Sequence, residues 1–270
     1  MSVTKKNHYL SQCIIKNFCS DSNRTFWVYD CKKGGDIYQR NITNLFYGRH
    51  LWGQGVKDSI HDNFEECIAK DLKEVLTWEI RAPIIPGPNG LTQPQFSCKV
   101  IENEGMRKNL NKLILQSMLV QARVAKGRNN DIVDHINDFF SNNTKGLDSM
   151  LTLVEVHPDA MFPPLILTDL LMFMFAVPIV YGRGAHLCFC VPISTTRMLI
   201  WGSMQDLSYF LNKYQNINYL NLCRIEQQSK ECLIASQDKN YLTTIVPQIV
   251  TFNSGEHSFI IRAERGETFR

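Results

Sequence analysis

The chain has 270 residues, of which 44% are hydrophobic and 20% are charged, and its formal net charge at pH 7 is +3. This composition is ordinary for a globular protein. So small a net charge gives no argument for bulk binding of nucleic acid or membrane, although it leaves room for a local basic patch. The length suits one large domain or two small ones. We expect a single domain over residues 1–270 with an internal loop at 81–97.

Nine cysteines are scattered along the chain, and no Cys-x-x-Cys pair occurs among them. The first residues, Met1 to Lys6, are polar and lack the apolar stretch of a signal peptide. Together these features predict reduced thiols in a cytoplasmic protein.

The most apolar run covers residues 165–180. It is shorter than the ~20 residues that a bilayer requires, and it contains Asp169 and Pro178. We therefore expect a buried core element here and no membrane partner.

The first half of the chain predicts one hairpin and two long helices. Residues 24–30 are aromatic and β-branched, which favours a strand, and 37–42 follow as a hairpin partner at the edge of a sheet. Residues 58–80 carry an apolar stripe at helical spacing, and 102–126 form the second long helix. Between them, the density of proline and glycine in 81–94 excludes a helix.

The second half mixes strands with helices. Strands are predicted at residues 150–156, 165–168, 186–193, 197–201 and 257–263. Helices are predicted at 131–140, 205–213 and 219–236, whereas 241–250 is ambiguous. Together these helices and strands predict an α+β fold that is mainly helical. Its small mixed or antiparallel sheet is formed by the N-terminal hairpin and the strands around 150–201.

The stretch from His8 to Phe18 has apolar residues at near-helical spacing and predicts one short helix that buries that face. His8 and Tyr9 then lie at the helix entrance, where they either hydrogen-bond the core or face a cleft. A lone histidine in such a place is more often structural than catalytic.

The order of residues in this stretch resembles the opening of the domain of unknown function family 4238. The positions that fit are His8, Tyr9, Gln12, Ile15, Asn17 and Phe18, with Ser11 where the family has proline. Further positions resemble later family markers: Glu65 or Glu66 with Asp71, Gln121 with Arg123, Thr168-Asp169, Val191 to Ser194, and Leu220-Asn221. The family has no assigned activity, so the resemblance implies a domain and candidate positions but no reaction.

These positions supply a mixed set of acidic, basic and imidazole side chains. The candidate catalytic residues are His8, Glu65, Glu66, Asp71, Arg123 and Asp169. Carboxylates from a helix and a strand end suit Mg²⁺ or Mn²⁺, and we expect Glu66, Asp71 and Asp169 to be the metal ligands. The planar guanidinium of Arg123 suits phosphate. The alternative is that the acidic residues lie on the solvated face of an amphipathic helix and that Arg123 pairs with one of them.

Two hypotheses of function follow from this set. The first is a metal-dependent nuclease or phosphodiesterase that acts on a nucleic acid or nucleotide, of the kind that serves as a bacterial toxin or defence effector. The second is a non-catalytic module that binds a protein partner and uses the same residues as a structural buried polar network.

Residues 182–186 and the strand that follows add a glycine-rich turn and two cysteines. The turn lacks the lysine and hydroxyl of a phosphate-binding loop and is interpreted as a hairpin connection. Cys188 and Cys190 are interpreted as poor candidates for a shared metal.

Overall fold

The computed structural model describes residues 6–8, 10–20, 24–49, 66–80, 96–126, 150–156, 163–179, 185–228, 230 and 232–255. The helices are α1 (Gln12–Lys16), α2 (Glu66–Thr77), α3 (Glu104–Lys126), α4 (Met204–Lys213), α5 (Ile217–Gln227) and α6 (Lys239–Thr251). The strands are β1 (Lys6–His8), β2 (Thr25–Asp30), β3 (Tyr38–Asn41), β4 (Tyr47–Arg49), β5 (Phe96–Val100), β6 (Leu151–Val156), β7 (Leu167–Thr168), β8 (Phe173–Pro178), β9 (Ala185–Pro192), β10 (Arg197–Trp201) and β11 (Leu233–Ser236).

The larger sheet has five strands in the order β5-β6-β10-β9-β8, and each neighbouring pair is antiparallel. The register of β10 against β9 places Trp201 opposite Phe189. Strand β10 therefore ends beside the middle of β9, and α4 begins directly after it. This juxtaposition positions the candidate site described below.

A second sheet has four strands in the order β3-β2-β11-β7. The hairpin of β2 and β3 confirms the sequence prediction, and β3 lies at the edge as expected. The last strand in the described part of the chain, β11, inserts between β2 and β7 and is antiparallel to both. A pair of short strands, β1 and β4, stands apart from both sheets.

The buried apolar residues form two clusters, and the larger one joins the two sheets. It contains Phe26 and Val28 of β2, Leu153 of β6, and the apolar stripe of α2, represented by Ile68 and Leu72. Each of these residues is almost fully buried, which is the arrangement that an alternating strand and an amphipathic helix predict.

The prediction of a mainly helical fold with one small sheet is wrong. The structure has two antiparallel sheets with nine strands between them, so the fold is α+β without being mainly helical. Five described strands lie where the sequence predicts no strand: β1, β4, β5, β8 and, within the predicted helix 219–236, β11. Of these, β5 and β11 pair with strands that are distant in the sequence, and a local pattern carries no sign of such partners. Strand β8 lies within the apolar run 165–180, which the sequence predicts only as a buried core element.

Several other predictions are confirmed, while some lie outside the described residues. Helix α3 and strand β10 agree closely with the sequence prediction, and the ambiguous segment 241–250 is part of α6. Residues 58–65, 131–140 and 257–263 are not among those that the structure describes, and neither are residues 81–95 of the predicted internal loop.

The predicted core run at 165–180 forms β7, β8 and their connection, and Leu167, Phe173 and Phe175 are fully buried. Among the helices in the described part of the chain, none combines the length and the apolar character needed to span a membrane.

The C-terminal end of α5 is fixed to β8 by side-chain amides. Gln227 accepts a hydrogen bond from the backbone N–H of Met174 at 2.9 Å and donates one to the carbonyl oxygen of the same residue at 2.8 Å. Gln228 makes the same pair of contacts with Leu170. The segment that connects the two sheets is therefore held against α5.

Candidate metal centre

Three potential metal ligands meet where β9 faces the beginning of α4. The ligand atoms of His186, Cys188 and Asp206 all lie within 4.8 Å of one another. His186 Nε2 is 2.5 Å from Asp206 Oδ1. The side chain of His186 is 49% exposed and that of Asp206 is 5% exposed, whereas Cys188 is buried. The protein thus shields Cys188 and Asp206 from solvent, and solvent reaches the group at His186.

The local sequence explains this meeting. His186 and Cys188 are two positions apart in β9, so both side chains point to the same face of the sheet. Continuing the register of β10 places Gly202 opposite Cys188. A Cβ on Gly202 would lie 2.8 Å from the Asp206 Cβ and 3.3 Å from the Cys188 sulfur, so glycine is required for Asp206 to approach β9.

A capping box fixes the carboxylate of Asp206. Ser203 is the N-cap of α4, and its hydroxyl accepts a hydrogen bond from the Asp206 N–H. In return, Asp206 Oδ2 accepts hydrogen bonds from the Ser203 N–H at 2.6 Å and from its hydroxyl at 2.8 Å. These contacts occupy Oδ2 and leave Oδ1 directed at His186.

The charges in the cluster are strongly coupled. Burial alone raises the pKa of Asp206, but the hydrogen bonds from Ser203 and the pairing with His186 outweigh burial and lower the pKa below its ordinary value. Burial and the neighbouring Asp206 carboxylate raise the pKa of the Cys188 thiol well above its ordinary value. Cys188 is therefore a neutral thiol beside the Asp206 carboxylate.

This donor set is able to bind a metal ion. Imidazole nitrogen, thiolate sulfur and carboxylate oxygen are the three ligand types that Zn²⁺ accepts. A metal ion at this place would replace the thiol proton of Cys188, since a metal-bound cysteine is a thiolate. A group that is able to bind a metal ion is thus present, at residues other than the predicted Glu66, Asp71 and Asp169.

The predicted ligands on α2 have different surroundings. Glu66 is exposed at the first position of the helix. Asp71 is buried, and its Oδ2 accepts a hydrogen bond of 2.9 Å from the side-chain amide of Asn109 on α3. Asp71 therefore bridges two helices.

Asp169 follows β7 and is half-buried. Its Oδ2 accepts a hydrogen bond of 3.0 Å from the backbone N–H of Leu233, the first residue of β11. Among the described residues, no group of three potential ligands includes Glu66, Asp71 or Asp169.

The remaining predicted site residues lie where the structure does not describe side chains. His8 is in β1 and Arg123 is in α3, and only their backbone is described. Glu65 is outside the described residues. Their proposed roles stay predictions.

The structure does bring together two markers of the family resemblance. Asn221 of α5 donates a hydrogen bond to the Pro164 carbonyl oxygen and another to the Tyr241 hydroxyl. One turn later, Arg224 donates to the carbonyl oxygen of Ile166 at 2.8 Å and to the hydroxyl of Thr168 at 3.4 Å. The buried side chain of Arg224 thus connects Asn221 of α5 with Thr168 of β7.

The pairing of His186 with Cys188 is not among the sequence predictions, which consider Cys188 only together with Cys190 and place His186 at the end of a turn. The available signal was His-x-Cys within a strand, which places two soft ligands on one face. The third ligand, Asp206, follows 18 positions after Cys188, and its approach depends on a sheet register that the sequence does not reveal.

No family model, no curated protein and no solved structure matches this chain. The resemblance to the domain of unknown function family 4238 is therefore carried by the order of its marker residues, and membership stays a prediction.

Proposed function

We propose that this protein is a zinc-dependent hydrolase whose metal ion is bound by His186, Cys188 and Asp206. The observation that carries the proposal is the convergence of three different ligand atoms within 4.8 Å, with the histidine side open to solvent. Catalytic zinc sites have three protein ligands and keep the fourth position for water or substrate. A zinc-bound water has a strongly lowered pKa and acts as a nucleophile near neutral pH.

The ligand set favours zinc over the Mg²⁺ or Mn²⁺ expected from the sequence. Magnesium and manganese prefer oxygen ligands, and magnesium retains several of its waters. Cys188 contributes a thiolate and His186 an imidazole nitrogen, which leaves Asp206 as the one carboxylate of the group. Soft and intermediate ligands of this kind favour zinc over magnesium and manganese.

The substrate class that we propose is a phosphodiester, in a nucleic acid or a nucleotide. A zinc ion supports this reaction in two ways: it polarises a phosphoryl oxygen, and it delivers hydroxide to the phosphorus. The half-exposed His186 marks the side from which such a substrate would enter.

The first test is zinc binding by the purified protein and by four variants. We expect one zinc ion per chain and a zinc-dependent rise in melting temperature, because a ligand that binds only the native state stabilises it. His186→Gln, Cys188→Ala and Asp206→Asn should each lose most of this rise. Cys98→Ala is the matched control, since Cys98 is a half-buried thiol on β5 of the same sheet. Zinc content is measured by mass spectrometry after dialysis.

Activity is then measured on bis(4-nitrophenyl) phosphate and on single-stranded DNA and RNA oligonucleotides. Hydrolysis that requires zinc and is lost in His186→Gln supports the proposal. If the purified protein does not bind zinc, the proposal of a zinc-dependent hydrolase is wrong. Zinc binding without hydrolysis of any of these substrates would show that the ion has a structural role.

A second candidate function is a non-catalytic module that binds a protein partner. The observation that favours it is that Asp71 and Asp169 accept hydrogen bonds from groups that hold the fold together, namely Asn109 and the backbone of Leu233. Carboxylates used in this way fix helices and strands and need no substrate.

This candidate predicts a loss of stability when either carboxylate is removed. Asp71→Ala leaves the Asn109 amide without this acceptor, and Asp169→Ala does the same to the Leu233 N–H. Each change should lower the free energy of unfolding by ~1–3 kcal/mol, the cost of a buried donor that loses its partner. Glu74→Ala, at an exposed position of α2, should change it by less than ~0.5 kcal/mol. Urea denaturation measures all three, and unchanged midpoints for Asp71→Ala and Asp169→Ala would contradict a structural role.

A further inference from the structure

Cys31 and Cys232 face each other at the end of the four-stranded sheet. The register of β2 and β11 pairs Asp30 with Leu233, so the next residues outward are the two cysteines. The Cys31 N–H donates a hydrogen bond of 3.0 Å to the Cys232 carbonyl oxygen, which continues the antiparallel ladder by one more pair. Neither residue belongs to the candidate metal centre.

The ladder places the two side chains on the same face. Directly opposed residues of an antiparallel pair share a face, with their Cβ atoms about 4.5–5.5 Å apart. A disulfide requires Cβ atoms about 3.5–4.5 Å apart and Cα atoms about 4.4–6.8 Å apart. Because the Cys31 N–H bonds to Cys232, the two residues are a hydrogen-bonded pair, at the wider end of the Cβ range, and their Cβ atoms have to approach by about 1 Å for the sulfurs to join. The thiols already interact, since a hydrogen bond to Cys31, together with burial, raises the pKa of the Cys232 thiol.

The two thiols differ in their access to solvent. Cys232 is 2% exposed. Cys31 is half-buried at the beginning of the turn that follows β2. A reagent in solution therefore reaches Cys31 first, and Cys232 is placed to react second.

We propose that Cys31 and Cys232 are a thiol pair that closes reversibly to a disulfide by exchange with a small disulfide such as oxidised glutathione. In the first step, the Cys31 thiolate attacks one sulfur of the small disulfide, and one small thiolate leaves and takes up a proton. In the second step, the Cys232 thiolate attacks the Cys31 sulfur of the mixed disulfide, and the second small thiolate leaves. The pair is oxidised by two electrons and loses two protons, while the small disulfide is reduced to two thiols.

Closure of this bond links two strands that are some 200 residues apart in the chain, from Cys31 to Cys232. A cross-link that closes a long loop restricts the unfolded chain strongly and so stabilises the native state. It also fixes the start of β11, where Asp169 accepts its hydrogen bond from Leu233. The oxidised protein should therefore melt at a higher temperature than the reduced protein.

The test incubates the native full-length chain with a series of oxidised-to-reduced glutathione ratios, followed by alkylation of the remaining thiols. Peptide mapping by mass spectrometry should find Cys31 joined to Cys232, and dithiothreitol should reverse the link. Cys31→Ser and Cys232→Ser should abolish it. Cys19→Ser is the control, because Cys19 is another half-buried thiol and lies after α1. Melting temperatures are recorded for each oxidised and reduced sample.

A link between Cys31 and Cys232 in the native protein, with a melting temperature several degrees above that of the reduced form, supports the proposal. A mixed disulfide on Cys31 that never passes to Cys232 would overturn it. So would a link that forms only in denaturant, or a rise in melting temperature on oxidation that persists in Cys31→Ser.

Discussion

The two oxygens of the Asp206 carboxylate have separate roles. Oδ2 completes the capping box at the start of α4, and Oδ1 faces His186. One residue thus sets both the helix boundary and the geometry of the candidate metal centre. A change at Asp206 will affect stability and metal binding together, and the two effects have to be measured separately.

The charge of Asp206 should make the stability of the metal-free protein depend on pH. The pKa of Asp206 is lower in the folded protein than its ordinary value, so the stabilisation is present above the unfolded pKa, about 4 for aspartate, and is lost as the pH falls through the folded pKa. Asp206→Ala should reduce this dependence below about pH 5 and should also cost ~1 kcal/mol of cap energy at neutral pH. Urea denaturation from neutral to acidic pH measures both quantities.

Asp206→Asn separates the two contributions. Asparagine retains an oxygen that accepts from the Ser203 N–H, but it carries no charge. It should therefore keep most of the stability at neutral pH while losing the acid dependence. Equal slopes for the parent and for Asp206→Asn between neutral and acidic pH would mean that the carboxylate charge contributes nothing to folding.

At the scale of elements, Arg197 joins the larger sheet to α2. It donates through Nε to Glu155 on β6 at 2.9 Å. Its terminal nitrogens donate to the carbonyl oxygens of Val75, Leu76 and Trp78 at 3.0, 2.7 and 2.9 Å. The last carbonyl groups of a helix have no partner within the helix, and a cation at this end also complements the helix dipole.

Removal of this guanidinium should therefore detach the end of α2. Arg197→Met keeps much of the side-chain length but leaves three carbonyl groups and Glu155 without this donor, and we expect a loss of ~2–4 kcal/mol in unfolding free energy. Arg197→Lys should recover only part of this, because one ammonium group does not reproduce the planar fork. Chemical denaturation measures the loss, and hydrogen exchange should show faster opening at the end of α2. A lysine variant as stable as the parent would show that the fork geometry has no importance.

The end of α5 shows why element boundaries could not be read from the sequence. The sequence predicts one helix over residues 219–236, since no glycine or proline interrupts it. In the structure, Lys230 takes a left-handed conformation with φ of 55°, a position that glycine usually occupies after a helix. Its ammonium group donates to the carbonyl oxygen of Phe252 at 2.6 Å, a contact with the end of α6. Tertiary structure thus ends this helix without the usual local signal.

For the whole molecule, the sequence predicted the elements with strong local patterns and underestimated the sheets. The alternating strands and long amphipathic helices were largely correct, as β10 and α3 show. Part of the error in the number of strands arises because β5 and β11 are defined by partners far away in the chain. In such strands, packing against neighbours decides the conformation more than intrinsic preference does.

The candidate site likewise depends on contacts between elements that the sequence does not show. The carboxylates at Asp71 and Asp169 were visible in the sequence, yet the structure uses both as hydrogen-bond acceptors for other elements. The group that is able to bind a metal depends on the register between β9 and β10 and on the absence of a side chain at Gly202. Neither condition can be recognised without the sheet.

The contact between Gln227 and β8 has a consequence for self-association. Strand β8 is an outer strand of the five-stranded sheet, and outer strands expose backbone groups that another polypeptide can pair with. The Gln227 amide occupies both the N–H and the carbonyl oxygen of Met174, as a residue of a neighbouring strand would. An invading strand from a second copy would first have to displace this amide, so α5 protects the apolar strand Phe173–Pro178 from the pairing that leads to aggregation.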